Sequence, residues 1–187
     1  MTISATTQGL RPGVTTSSNR PVTPFEGQMI YETDTDKVLV YDGTAWFVPY
    51  ASAPLTVISR STDQTITTAT QSFVTMDTET VDVLNWHSTV TNTDRITPTI
   101  AGWYMCIGSG TYNTGFTGRV IFQLAKNGAE FVKFDQQNTG YISGASISKM
   151  VYLNGSTDYV SLATYQFSGS NQSFTAGALQ LVLVRGD

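Results

Sequence analysis

The sequence predicts an all-β protein whose larger, C-terminal part is a sandwich or barrel. Short runs rich in β-branched and aromatic residues recur along the chain, separated by Gly, Asn and Asp at spacings of roughly 8 to 15 residues. No convincing amphipathic helix interrupts this pattern. A chain of 187 residues is long enough for one full domain and a smaller unit, but too short for two ordinary domains.

The first 24 residues predict an extended arm. They contain no aromatic residue, carry three prolines and are dominated by Thr, Ser, Gly and Arg. Such a segment cannot bury enough apolar area to fold alone. We therefore expect residues 1–24 to become ordered on a partner protein.

Residues 25–54 predict a three-stranded β meander followed by a short linker. Three β-rich runs are separated by turn residues, and one separator is Asp42-Gly43, a strong hairpin signal. Prolines bracket small residues at 49–54, which is typical of a semi-rigid linker. Because three short strands are marginal as an isolated unit, we expect the meander to fold on a partner or as part of a trimer.

Residues 55–187 predict the main domain, here called the knob. Residues 120–126 and 129–134 flank Asn127-Gly128, the strongest signal for a two-residue type I′ turn, so these strands should pair as a hairpin. Residues 148–153 and 158–165 flank a longer Asn-Gly loop and predict a second pair of strands.

The segment 178–184 is nearly continuously apolar. Such a run is typical of a strand that is buried on both faces. We therefore expect it to run through the middle of the knob.

Four segments, taken in order, resemble complement-type and tumour-necrosis-factor-like jelly rolls. They are residues 94–106, the turn at 126–128, residues 152–162 and residues 173–179. The resemblance covers roughly residues 55–187 and implies a ten-stranded jelly roll that assembles as a tight homotrimer. The candidates for its trimer interface or core are Trp103, Tyr104, Phe122, Tyr159, Leu181 and Leu183.

The N-terminal part resembles a different family. Residues 19–37, followed by 40–46, are similar to a module that recurs in tailed-phage fibre and capsid-decoration proteins. The resemblance implies attachment to a virion through this module, whose aromatic side chains offer contact area. The candidate docking residues are Leu10, Arg11, Val14, Arg20, Phe25, Tyr31, Tyr41 and Trp46.

Composition argues against several other classes. The net charge of −4, with scattered basic residues, does not suit a nucleic-acid groove. No apolar run is long enough to span a membrane, and the first residues lack the pattern of a signal peptide, so we expect synthesis in the host cytoplasm. The single Cys106 and single His87 exclude a cysteine zinc cluster and a histidine-rich metal site.

The remaining polar motifs favour structural roles, so we expect no enzyme, metal or cofactor. His87 has no nucleophile signature around it. Asp34 and Asp36 alternate with Thr but lack the later Gly and Glu of a calcium loop, which favours turn capping. The sequence also contains three dispersed carboxylates that would need to pair for sugar cleavage. They are Asp77, Glu79 and Asp82.

Several aromatic residues lie near Gly-rich loops. They are Tyr112, Phe116, Tyr141, Tyr165 and Phe167. Rings in such places stack on sugars, contact a neighbouring protein or fill a trimer core. Packing is favoured, and ligand-binding loops that contain Tyr112, Phe116, Tyr141 and Phe167 remain the alternative.

Together these observations predict a homotrimeric capsid decoration protein, of the cement or head-fibre type, on the exterior of a phage capsid. Its partner would be the major capsid protein. The alternative is a tail fibre or receptor-binding adhesin, held by a tail or baseplate protein, whose knob recognises a host surface glycan or protein. The absence of a long shaft in so short a chain favours decoration.

Overall fold

The computed structural model of the chain describes residues 12–49, 53–141 and 143–186. The chain divides into two compact units, with the boundary between Ser52 and Ala53. The predicted all-β class is confirmed, because the described elements are strands apart from one turn of 3-10 helix at Ser17–Asn19.

The N-terminal unit is a four-stranded sheet with the order β1-β2-β3-β4. Strands β2 (Met29–Glu32), β3 (Lys37–Tyr41) and β4 (Trp46–Phe47) form the predicted antiparallel meander. The additional strand β1 (Gly13–Thr15) comes from the predicted arm and pairs in parallel with β2. This pairing was not predicted, because three residues of a Gly and Thr segment carry no strand period of their own.

Polar contacts hold the described part of the arm against the meander. The Asp34 carboxylate accepts hydrogen bonds from the Ser17 backbone N–H at 2.9 Å and from the Ser17 hydroxyl at 2.5 Å. These bonds lower the pKa of Asp34. The Arg20 guanidinium pairs with the buried Glu32 carboxylate, which lowers the pKa of Glu32. The chain's own sheet therefore holds residues 13–20 of the predicted arm.

The C-terminal unit contains ten strands within its described residues, as predicted. Their bounds are β5 (Leu55–Ser59), β6 (Gln64–Ile66), β7 (Ser72–Phe73), β8 (Thr78–Asp82), β9 (Ala101–Tyr112), β10 (Thr117–Lys126), β11 (Ala129–Thr139), β12 (Gly144–Asn154), β13 (Val160–Gln166) and β14 (Gln172–Gly186). The smaller sheet has the order β11-β10-β13-β7. The larger sheet has the order β12-β9-β14-β5-β8, and β6 also pairs with β14.

The turn at Asn127 and Gly128 has the predicted type I′ character. Both residues have positive φ, at 53° and 80°, and β10 and β11 pair antiparallel on either side. The prediction of this hairpin is confirmed.

The predicted second hairpin is wrong. Strand β12 pairs with β9 in the larger sheet, whereas β13 pairs with β10 and β7 in the smaller sheet. The Asn154 side-chain oxygen accepts three backbone N–H groups, from Ser156, Thr157 and Asp158, each at 3.0 Å. This loop carries the chain from one sheet to the other, and an Asn-Gly pair alone does not determine which strands pair.

An aromatic cluster lies in the core between the two sheets. The Tyr112 ring meets Phe174 edge to face at 5.3 Å and Phe122 at 6.1 Å. The Tyr112 hydroxyl lies 2.8 Å from the Thr164 hydroxyl, so the buried polar group has a partner. Gly110 leaves room for this cluster, since a Cβ there would overlap the Phe174 ring.

The Asp77 carboxylate fastens the loop that follows β5. It accepts hydrogen bonds from the Ser61 backbone N–H at 2.8 Å and from the Thr62 hydroxyl at 2.8 Å. Burial disfavours the charged form, but these bonds outweigh it and hold the pKa of Asp77 well below its usual range. Asp77 therefore stabilises the fold above the ordinary aspartate pKa of about 4, and this stability is lost as the pH falls below it.

We expect Asp77→Asn to lower the free energy of unfolding by about 1–3 kcal/mol at pH 7, because it removes a charged acceptor from several donors. Urea unfolding at pH 7 and at lower pH measures this difference, which should shrink below about pH 4. The control is Glu130→Gln, since this exposed residue makes only a surface pair with Lys133. Equal losses in the two variants would contradict the role assigned to Asp77.

Candidate functional site

The single histidine and the dispersed carboxylates hold loops in place. The two ring nitrogens of His87 lie 2.8 Å from the Glu79 carboxylate and 3.2 Å from the Thr93 carbonyl oxygen. The Asp82 carboxylate accepts the backbone N–H groups of Trp86 and His87. Each of these groups therefore has a structural contact.

The single cysteine, Cys106, is buried in the core, and burial raises the pKa of its thiol to about 12. Within residues 12–49, 53–141 and 143–186, no group of three His, Cys, Asp or Glu side chains is placed to hold a metal ion. Nor do these residues include a helix long and apolar enough to cross a membrane.

The larger sheet of the knob has an apolar face that points away from its core. Along β9, Tyr104 and Cys106 are fully buried, whereas Trp103, Met105 and Ile107 alternate with them and are only partly buried or exposed. Because side chains alternate along a strand, these three residues face outward.

The strand register extends this apolar face across four strands. Met150 and Val182 lie on either side of Met105. Leu55 lies opposite Val182, and Val57 lies two residues further along the same strand. We define the outer sheet face by its apolar members, which are Leu55, Val57, Trp103, Met105, Ile107, Met150, Tyr152, Val182 and Val184.

The outer sheet face carries little charge. The remaining positions on this face include the uncharged residues Ser109, Ser148 and Gln180. Arg185 lies at one end of the face, beside Trp103. The Trp103 and Tyr152 rings meet edge to face at 5.8 Å. A contiguous apolar area of this kind is typical of an interaction surface.

Strand β14, which contains the apolar segment 178–184, contributes side chains both to the core and to the outer sheet face. It lies between β9 and β5, in the middle of the larger sheet, as predicted. Leu179 and Leu181 are fully buried in the core, whereas Val182 and Val184 lie on the outer sheet face. The chain alone therefore buries only one of the two faces that its apolar sequence predicts to be buried.

The N-terminal sheet has a second exposed apolar face. In the register, Tyr31 lies between Val14 and Val38, and Val40 lies between Met29 and Phe47. Val14, Met29 and Phe47 are all more than two-fifths exposed. We define the meander face by these six residues: Val14, Met29, Tyr31, Val38, Val40 and Phe47.

The opposite side of the N-terminal sheet is covered. Ile30, Glu32 and Leu39 are buried there. Tyr41 and Trp46 belong to the same side by register, with their rings 5.4 Å apart. The two sides of the sheet thus differ sharply in exposure.

The predicted docking residues are divided between these two sides. Val14 and Tyr31 lie on the meander face, whereas Arg20, Tyr41 and Trp46 do not. Phe25 is exposed ahead of β2, and Leu10 and Arg11 lie outside the described residues.

The predicted docking residues did not include Met29, Val38, Val40 and Phe47, because they were chosen as arm residues and single aromatic residues without following the alternation along the strands. The signal was present as a two-residue alternation, in which Met29 and Tyr31 share one face and Ile30 lies on the other. Val38 and Val40 likewise share a face, with Leu39 on the other.

The six residues predicted for the trimer interface or core lie in three different places. Tyr104, Phe122 and Leu181 are fully buried in the core, and Leu183 packs against it. The guanidinium carbon of Arg95 lies 4.1 Å from the ring centroid of Tyr159. Of the six predicted residues, Trp103 is the one on the outer sheet face.

Two of the candidate ligand-loop residues pack in the core, in line with the favoured interpretation. Tyr112 and Phe116 are buried, with ring centroids 5.1 Å apart, because they fill one end of the aromatic cluster. They are therefore out of reach of a surface ligand. Tyr141 and Phe167 are exposed, at 78% and 40%.

Comparison with solved structures identifies the fold of the knob. The chain is similar to Eiger TNF from S. frugiperda, with a TM-score of 0.52 and 13% sequence identity, over 73% of this chain and 95% of that one. Murine APRIL gives a TM-score of 0.48 at 9% identity, over 69% of this chain and 99% of that one. No family model and no curated protein matches the sequence. The similarity to Eiger TNF confirms the tumour-necrosis-factor-like jelly roll as a fold.

Proposed function

We propose that this chain is a non-enzymatic structural protein of a tailed-phage virion, a homotrimeric capsid decoration protein that attaches to the capsid and stabilises it. The observation that carries the proposal is that each unit presents an uncovered apolar sheet face. The outer sheet face would join copies of the knob, and the meander face would join the virion. The resemblance of residues 19–37 and 40–46 to a module of phage fibre and decoration proteins is the reason for proposing a virion.

The outer sheet face suits association between copies of the chain. Its Met105, Ile107 and Val182 side chains cluster at the centre of the sheet and carry no charge that would have to be desolvated. Burying such a surface is favourable at roughly 25 cal/mol per Å². Identical subunits form closed symmetric assemblies, and the sequence resemblance of the knob favours three copies.

The meander face suits contact with a larger body, the major capsid protein. Three copies of the face in one trimer would bind at once, so that modest individual contacts combine through effective concentration. Contacts that exist only on the assembled shell stabilise that shell by mass action. No chemical step is needed for this function.

We expect the double variant Met29→Asp, Phe47→Asp to bind particles that lack the protein at least about tenfold more weakly, because it places two carboxylates in an apolar contact. Cosedimentation with such particles measures the binding. Both residues are exposed, so the knob should remain folded and trimeric. Deletion of residues 1–24, which removes β1, should also abolish attachment.

The matched control is Val22→Asp, since Val22 is 96% exposed and lies outside the meander face. It should attach like the parent protein. If the double variant also attached like the parent, the meander face would not be the docking surface.

A further inference from the structure

A third surface, on the smaller sheet of the knob, presents two parallel aromatic rings. Along β13, Val160 and Leu162 point into the core, so Tyr165 points outward. The Tyr165 and Phe167 rings are parallel to within 5°, and their centroids are 6.4 Å apart. Phe167 is exposed, and Tyr165 is partly exposed.

An ion pair between Arg119 and Asp135 lies beside these rings. The Phe167 backbone N–H donates to the Arg119 carbonyl oxygen at 2.9 Å, and the Arg119 guanidinium lies 5.7 Å from the Phe167 ring centroid. The same guanidinium binds both carboxylate oxygens of Asp135, with its Nε at 2.9 Å from Oδ1. The pair is partly exposed to solvent.

The strand register places all of these groups on one patch. Ile121 lies between Asp135 and Tyr165, and Gln137 lies beside Arg119. We define the aromatic platform as Arg119, Ile121, Asp135, Gln137, Tyr165 and Phe167.

We propose that the aromatic platform binds a neutral glycan. A pyranose ring has an apolar C–H face, which stacks on an aromatic ring, and a rim of hydroxyl groups that donate and accept hydrogen bonds. The Phe167 ring supplies the stacking surface. Arg119 and Gln137 offer donors and Asp135 offers an acceptor, each on a strand that fixes its position.

The charges of the platform favour a neutral sugar over an anionic one. Arg119 and Asp135 compensate each other through two hydrogen bonds, which raise the pKa of Arg119 and lower that of Asp135. No excess positive charge is left on the pair for a carboxylate or phosphate. An uncharged glycan can use the outer lone pairs and N–H groups of the pair without breaking it.

The platform differs from an interface between proteins. The outer sheet face is a broad and almost uncharged area, whereas the platform combines two aromatic rings with charged and amide side chains. A stable protein contact covers about 800 Å² on each partner, much more than two rings and their neighbours supply. The platform lies on the smaller sheet, so it shares no residue with the outer sheet face, which is the surface proposed to join copies of the knob.

Saturation-transfer NMR of the full chain with lactose, maltotriose, mannotriose and triacetylchitotriose tests the proposal. We expect at least one of these neutral saccharides to receive saturation on its ring C–H protons. Phe167→Ala should then weaken binding about tenfold, because the stacking surface is lost. Arg119→Ala should also weaken it.

The matched control is Phe134→Ala. Phe134 is 40% exposed, like Phe167, and lies on the same sheet, but its register partner is the buried Phe122 and it is not part of the platform. This variant should bind like the parent. The proposal is overturned if none of the saccharides binds at about 10 mM, or if Phe134→Ala and Phe167→Ala weaken binding equally. Particle attachment is measured separately, so failure here leaves the proposed virion role to its own test.

Discussion

Replacement of Met105 and Ile107 by aspartate is expected to convert the proposed trimer into folded monomers. Both side chains lie near the centre of the outer sheet face, and neither belongs to the core. In a trimer the two carboxylates would be buried without partners, which costs several kcal/mol per charge. Sedimentation velocity should show the parent at three times the chain mass of 20.3 kDa and the variant at the chain mass itself.

The control for this experiment is Val90→Asp, since Val90 is 84% exposed on a loop outside the outer sheet face. This variant should remain trimeric. A parent protein that is monomeric would contradict the role of this face, and so would an aspartate double variant that still forms trimers.

Truncation of Phe174 to alanine is expected to have the largest effect on stability. Phe174 is fully buried, and its ring contacts Tyr112 and Phe122 and covers Gly110. Removal of a buried phenyl ring leaves a cavity and costs about 3–5 kcal/mol. Chemical denaturation followed by tryptophan fluorescence measures the loss.

Phe134→Ala provides the matched comparison, because it removes the same ring from a partly exposed position. It should cost about 1 kcal/mol or less. Comparable losses at Phe134 and Phe174 would show that the aromatic cluster does not dominate the core.

Local turn chemistry explains why much of the fold could be predicted. Asn127-Gly128 specifies its own hairpin, because both residues accept positive φ and the turn matches the twist of the strands beside it. The pairing of β12 and β13 was wrong because sheet membership is not local. The loop at Asn154 sends the two strands to different sheets.

The candidate surfaces were only partly predictable for a related reason. The apolar run at 178–184 predicted two buried faces, but only the strand register shows that Met105 and Ile107 share the outward one with Val182. The parallel pairing of Gly13–Thr15 with β2 is likewise a tertiary contact. Tyr112 was expected near a loop, and its burial depends on Phe174 from a distant strand.

The most direct test of the proposed function is cryo-electron microscopy of the purified virion, with the copy number of this chain measured on the same particles. We expect threefold knobs at symmetric positions on the capsid exterior, each joined to the shell through the N-terminal unit. Absence of the chain from purified particles would contradict the proposed function. A few copies at the tail alone would contradict capsid decoration and establish an adhesin or tail fibre in its place.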